Sequence, residues 1–204
     1  MPDQLVVGFD LDLTLVDSRP GIAAAYRALS ARTGVPIDAE AAVGRLGPPL
    51  EVEIARWFPA EEVAATADLY RAMYPQFAVT DSPALAGAVE SFAEVRARGG
   101  RVVVITGKHV GNARLHLDHL GLDADAVEGM AWAQGKVDAM RAHGVQVYVG
   151  DHSADMASAR EAGALAVGVV TGAHTAEQLH EAGAHAVLPS LLDFPAYLEL
   201  SLPI

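Results

Sequence analysis

The 204-residue chain contains no cysteine. That excludes a disulfide framework, thiol catalysis and thiolate metal sites, and leaves oxygen or imidazole ligands for any ion. Positive charge is scarce too: 14 Lys and Arg stand against 26 Asp and Glu, a formal net charge of -12. Nucleic acids and anionic membranes select basic patches, so neither is expected as a partner, and an anionic substrate would have to be attracted locally. Lysine is the rarest basic residue, Lys108 and Lys136 standing beside twelve arginines. No apolar run approaches a membrane span, and Met1-Pro2-Asp3-Gln4 lacks the basic start of a secretory signal. These absences predict a soluble cytoplasmic protein. With 51% hydrophobic residues the chain can still bury a sizeable core, at a length that suits one domain plus a modest insertion.

What is present is organised around residues 5–18. Residues 5–9 read as a strand buried on both faces, as in the middle of a parallel sheet, and Asp10 and Asp12 follow at its carboxyl end. Open α/β sheets bind ligands along that edge. Alternation along extended chain points the two carboxylates to the same side. Two anions in one small volume repel, so either one is protonated or a cation or strong donor offsets them. As an isolated pair they read rather as solvated loop residues capping the next turn, and what favours a site lies downstream.

Beyond Ser18, Ile22, Ala25, Tyr26 and Leu29 recur at helical spacing, with Pro20 in the first turn and Gly34 at the end. Helical stretches at 49–57 and 59–77 follow without a convincing strand, which predicts an inserted helical subdomain over residues 16–80. From residue 83 helix and strand alternate, beginning with a helix whose apolar stripe is Leu85, Val89, Phe92 and Val95. Strands are expected at 101–106, 126–129, 145–151, 165–170 and 186–188, separated by helices at 110–120, 133–143, 153–162 and 176–182, with a last helix at 191–200. The repetition predicts an α/β fold, a Rossmann-like parallel sheet flanked by helices, built from residues 1–15 and 81–204.

Three of these strands end in polar residues: Asp10 with Asp12, Thr106 with Gly107, and Asp151 with Asp155 one helical turn on. In a parallel sheet such ends converge on one edge. Four carboxylates there make a hard-oxygen site of the kind that holds Mg²⁺, which in turn brings in phosphate. Both lysines fall beside these loops, where a compact ammonium can neutralise a nucleophilic carboxylate and a phosphoryl oxygen together. The competing reading of each is an exposed helix-terminus residue.

Taken in order, Asp10-Leu11-Asp12-Leu13-Thr14-Leu15, Ile105-Thr106-Gly107, Lys136, and Gly150-Asp151-His152-Ser153-Ala154-Asp155 with Ala162-Gly163 resemble the motifs of the haloacid dehalogenase superfamily over nearly the whole chain. The likeness is greatest to its phosphoglycolate-phosphatase-like branch, with a helical cap inserted after the first strand. It implies Asp10 as the nucleophile that accepts a phosphoryl group, and Asp12 as the acid and then the base. It implies that Thr106 and the Gly107 amide bind phosphoryl oxygens while Lys136 offsets charge. Mg²⁺ would be held by Asp10, the backbone carbonyl of Asp12, and Asp151, with Asp155 acting directly or through water. Because a halide leaves without a proton, an acid at position 12 favours phosphate chemistry over dehalogenation. The sequence departs from the pattern at Gly107, where a polar residue is usual, at Val137 in place of proline, and at His152 in place of a small hydroxyl residue.

The expected activity is thus a Mg²⁺-dependent phosphatase of a small phosphorylated metabolite, monomer or homodimer, working through an aspartyl phosphate. A sugar-phosphate mutase, a phospho-accepting receiver module and a member that binds phosphate without turnover are the alternatives; the early Asp pair and the long insertion disfavour the receiver. Lys108, directly after Gly107, is a further candidate for substrate binding. So is Arg45, which the Gly44-Arg45-Leu46-Gly47-Pro48-Pro49 turn could present to a second anionic group. His116 and His119 stand at helical i, i+3 spacing, but no third zinc ligand is evident, and they are expected on an exposed polar helix face.

Overall fold

Unbroken apolar runs make the strands. In the computed structural model, which describes residues 4–201, Val6–Phe9 forms β1, Arg101–Ile105 β2, Val147–Gly150 β4 and Leu165–Val169 β5, nearly every residue buried. The shorter Ala126–Glu128 and Ala186–Leu188 are half-buried edge strands, β3 and β6. All pair in parallel in the order β3-β2-β1-β4-β5-β6. The chain therefore runs outward from β1 on one side, then returns and runs outward on the other. A crevice opens at that reversal, outside the carboxyl ends of β1 and β4.

Between β1 and β2 lie α1 (Arg19–Thr33), α2 (Ala39–Val43), α3 (Leu50–Ile54), α4 (Val63–Phe77) and α5 (Ala88–Ala97). The first four close around their own apolar cluster, with Ile22, Tyr26, Leu29, Ile54, Tyr70 and Tyr74 at its centre. After β2 come α6 (Val110–Leu120), α7 (Gln134–His143), α8 (Ser153–Ala162), α9 (Ala176–Glu181) and α10 (Phe194–Ser201). Together with α5 they cover the two faces of the sheet. Phe9, Phe92 and Phe194 meet on one face, and Met140, Tyr148 and Met156 on the other. No helix among the described residues is long and apolar enough to cross a membrane.

Two local expectations change. The helix expected over 49–57 is limited to Leu50–Ile54, and an unforeseen α2 precedes it, its start capped by Asp38, whose Oδ1 accepts the Ala41 amide at 3.0 Å. Val89 leaves the predicted stripe: α5 begins at Ala88 and buries Ala88, Phe92 and Val95, which turns Val89 outward, 55% exposed. The stripe was phased from Leu85, which precedes the helix.

Candidate active site

Register brings the acidic residues together. Phe9 lies opposite Val149, and the Asp10 amide donates to the Val149 carbonyl at 2.9 Å, so Asp10 and Asp151 leave adjacent strands side by side. Beyond Asp10 the chain folds back at once. The amides of Thr14, Leu15 and Val16 all reach the Leu11 carbonyl, and Leu13 takes the left-handed φ of 58° that this turn requires. The turn delivers Thr14, whose hydroxyl donates to Asp151 Oδ1 at 3.0 Å. After β5, Gly172 passes so close that a Cβ would overlap Asp151 Oδ2.

Asp155 occupies the first turn of α8, where its Oδ2 accepts the His152 amide at 3.2 Å while His152 Nδ1 accepts the Ala154 amide at 3.0 Å. Its other oxygen takes Lys136. From the first turn of α7 the Lys136 ammonium reaches 2.5 Å from Asp155 Oδ1 and 3.2 Å from Asp10 Oδ1, above the Tyr148 ring. Asp10, Asp151 and Asp155 each offer an oxygen within 4.8 Å of the others; the Asp12 carboxylate is not part of this group.

Charge is out of balance here. Burial raises Asp10 to about 7 despite Lys136, and burial followed by repulsion from Asp10 and Asp155 pushes Asp151 well above the carboxylate range. Asp10 Oδ1 is buried without a hydrogen bond. Three clustered carboxylates, all hard donors, with a single ammonium that meets Asp10 Oδ1 only as an ion pair at 3.2 Å, fit a divalent cation of the Mg²⁺ type.

Asp12 faces the other way. Its Oδ1 lies 3.0 Å from the Lys108 ammonium, which donates to Tyr74 Oη at 2.8 Å. Burial alone would raise the Asp12 pKa, but Lys108 holds it below the usual range. Lys108 is thus directed at Asp12 and at α4, not at Asp10. Tyr74 Oη in turn meets His116 Nε2 at 2.9 Å. Burial, reinforced by Lys108, lowers His116 to about 4, so the neutral ring accepts the tyrosine proton. The expectation of an exposed His116 is therefore wrong, whereas His119 is exposed. The reason is that α6 packs on α4. There Pro75 lacks the amide that would bond the Arg71 carbonyl, and Asn112 Nδ2 approaches that carbonyl at 3.4 Å.

Strand β2 supplies the next part. Backbone bonds of 2.9 Å tie Thr106, Lys108 and Ala131 into the loop after β3. The Thr106 hydroxyl accepts the Lys108 amide at 3.2 Å and keeps its own proton to donate. The Gly107 amide makes no hydrogen bond among the described residues. These groups open on a cavity of about 110 Å³ between the sheet edge and helices α1–α4. Arg45 lines it but is not held out as a free cation: its Nε and Nη2 form a fork on Glu53 at 3.0 and 2.6 Å. Gly47 presses on the His152 ring with φ 133°, where a Cβ would sit 2.7 Å from Cδ2. That ring also meets Trp132 and His174 edge to face, so His152 both caps α8 and forms part of the wall.

Sequence reasoning did not single out Thr14, Tyr74, Trp132 or Tyr148. For Thr14 a signal existed, since it sits four residues past Asp10 in the same polar-apolar alternation. The aromatic residues carried none.

A sequence profile of the haloacid dehalogenase-like hydrolases matches residues 7–160, and a related HAD-hydrolase-like profile matches 130–194. With this sheet order and these strand-end acids, the chain belongs to the haloacid dehalogenase-like hydrolases. Within them it is an enzyme of the phosphoglycolate-phosphatase-like kind. It is 32% identical to the phosphoglycolate phosphatase of Rhodospirillum rubrum over 100% of its own length and 93% of that protein. To the "Probable phosphatase IndB" of Dickeya dadantii it is 31% identical over 87% of its length and 86% of the other. Its fold matches a haloacid dehalogenase-like hydrolase from Streptococcus pneumoniae with a TM-score of 0.82, at 24% identity, covering 97% of this chain and 100% of that one.

Proposed function

We propose that the chain is a Mg²⁺-dependent phosphomonoesterase of a small phosphorylated metabolite, acting through an aspartyl phosphate on Asp10. The observation that carries this reading is the meeting of Asp10, Asp151 and Asp155 with Lys136 at the crevice between β1 and β4. Asp10, the Asp12 backbone carbonyl and Asp151 would hold the ion. Asp155, whose oxygens already accept from Lys136 and the His152 amide, would reach it through water. When bound, the ion supplies positive charge against the phosphoryl oxygens.

An Asp10 oxygen attacks phosphorus, forming the Asp10 O–P bond as the bond to the leaving alkoxide breaks. Thr106 Oγ1 and the Gly107 amide donate to phosphoryl oxygens, and Lys136 offsets the charge shared with Asp10. Asp12 protonates the leaving oxygen, then takes a proton from the water that cleaves the aspartyl phosphate. Lys108 keeps Asp12 ionised in the free enzyme; the entering anionic phosphate raises its proton affinity, and it takes from solvent the proton it then gives to the leaving oxygen. Helices α1–α4, within residues 16–80, act as a cap that closes on a core of residues 1–15 and 81–204, excluding water and selecting the substrate. Phosphate release from p-nitrophenyl phosphate, with and without a chelator, tests the reading. Asp10→Asn should lower it by at least about three orders of magnitude; substantial retained turnover removes Asp10 as nucleophile.

A further inference from the structure

Each arginine and lysine on the cavity wall is already matched to a carboxylate. On the sheet side Lys136 pairs with Asp155 and Asp10, and Lys108 with Asp12. On the helical side Arg71 pairs with Glu51 and with Asp68 at 3.2 Å, and Arg45 with Glu53. The last pair sets the character of this half of the pocket. Glu53 lines the cavity with 12% of its side chain exposed, accepting from Arg45 Nε and Nη2 and, at 3.0 Å, from Trp57 Nε1; on its outer side Arg56 lies 3.4 Å away. The Nε and Nη2 edge is one on which a guanidinium receives a carboxylate in two parallel bonds. Glu53 occupies it.

Around this pair, Arg71 with its own carboxylate partners aside, the wall is uncharged. The rings of Tyr26 and Tyr70 lie 4.8 Å apart, both phenols kept neutral by burial, and neither hydroxyl makes a hydrogen bond among the described residues. Ile22, Leu46 and Leu50 complete the surface. A carboxylate entering here would have to share Arg45 with Glu53 and would meet a like charge in a half-closed cavity, where repulsion is poorly screened. Hydroxyl groups meet no such repulsion. They find phenolic oxygens that both donate and accept, while C–H faces rest on the rings.

We propose that the leaving-group half of the pocket takes an uncharged, hydroxylated alcohol and rejects a carboxylate, with Glu53 as the residue that enforces the choice. The inference rests on the phosphomonoesterase reading and narrows its substrate to phosphate esters of neutral polyols or sugars. It separates this chain from the substrate named for its relative in Rhodospirillum rubrum.

Ethylene glycol monophosphate and phosphoglycolate form a matched pair, differing only in a hydroxymethyl group against a carboxylate. The wild-type chain with Mg²⁺ should show a kcat/KM at least about tenfold higher for the ester of the uncharged alcohol. Glu53→Gln, which frees the charge of Arg45, should reduce that preference about tenfold, chiefly through KM for phosphoglycolate. A wild-type preference for phosphoglycolate overturns the inference, as does an unchanged ratio in a folded Glu53→Gln variant. Should that variant not fold, the wild-type comparison decides alone. Turnover of p-nitrophenyl phosphate runs alongside: its absence removes the parent reading, whereas its presence with phosphoglycolate preferred removes this inference only.

Discussion

Mg²⁺ should stabilise the fold strongly near pH 8 and weakly near pH 5. Asp10, Asp151 and Asp155 are clustered and buried, the Lys136 ammonium touches Asp10 and Asp155, and burial lifts Asp10 to about 7. In the unfolded chain the same carboxyl titrates near about 4. Between these values the folded state binds more protons than the unfolded state, so without metal the stability contributed by Asp10 is full below about pH 4 and is lost as pH rises to about 7. A cation binds the ionised cluster and competes with that proton. With Mg²⁺ at about 100 times its dissociation constant near pH 8, stabilisation is about 2.7 kcal/mol. Near pH 5 the proton weakens binding about 100-fold, which leaves RT ln 2, or about 0.4 kcal/mol. At roughly 2–4 °C per kcal/mol for a chain of this size, Tm should rise by roughly 5–11 °C near pH 8 and about 1 °C near pH 5. Thermal unfolding followed by circular dichroism measures both. Equal shifts at the two pH values, or none near pH 8, would refute the idea that a cation displaces the proton held by buried Asp10.

Other perturbations separate the remaining parts. Asp12→Asn should slow an alkyl phosphate at least about 100-fold more than p-nitrophenyl phosphate, because nitrophenolate needs no proton; steady-state kinetics on the two esters checks it. Tyr74→Phe removes the hydroxyl between Lys108 and His116 and leaves two buried groups short of a partner. It should cost about 1–3 kcal/mol in urea denaturation. Gly47→Ala places a methyl 2.7 Å from the His152 ring at φ 133°, and should lower the denaturation midpoint by the equivalent of about 1–3 kcal/mol.

Much of the core could be read along the chain. The runs within 5–9, 101–106, 145–151 and 165–170 are apolar without alternation over the residues that form β1, β2, β4 and β5, Arg101 aside, because a strand covered on both faces has no solvent side to advertise. Parallel strands share one carboxyl edge, so acids ending two of them fall on the same side of the sheet, and the pairing of β1 with β4 is what sets them side by side. Short helices were harder. α2 and α3 are five residues each, too few for a periodicity to declare itself, and their ends follow from a cap at Asp38 and from packing.

The linear order of residues settled the chemistry on offer: an oxygen-rich, thiol-free site with two lysines. Which charge answers which was settled in three dimensions. Lys108 meets Tyr74 across 34 positions of chain, His116 meets Tyr74 across 42, and Lys136 meets Asp155 across 19. Arg45 has an open fork on paper and a filled one in space, because Glu53 comes round on the next helix to take it. A side chain's type is local, but its free energy depends on its neighbours at a few ångströms, and those neighbours are chosen by how helices pack rather than by position in the chain.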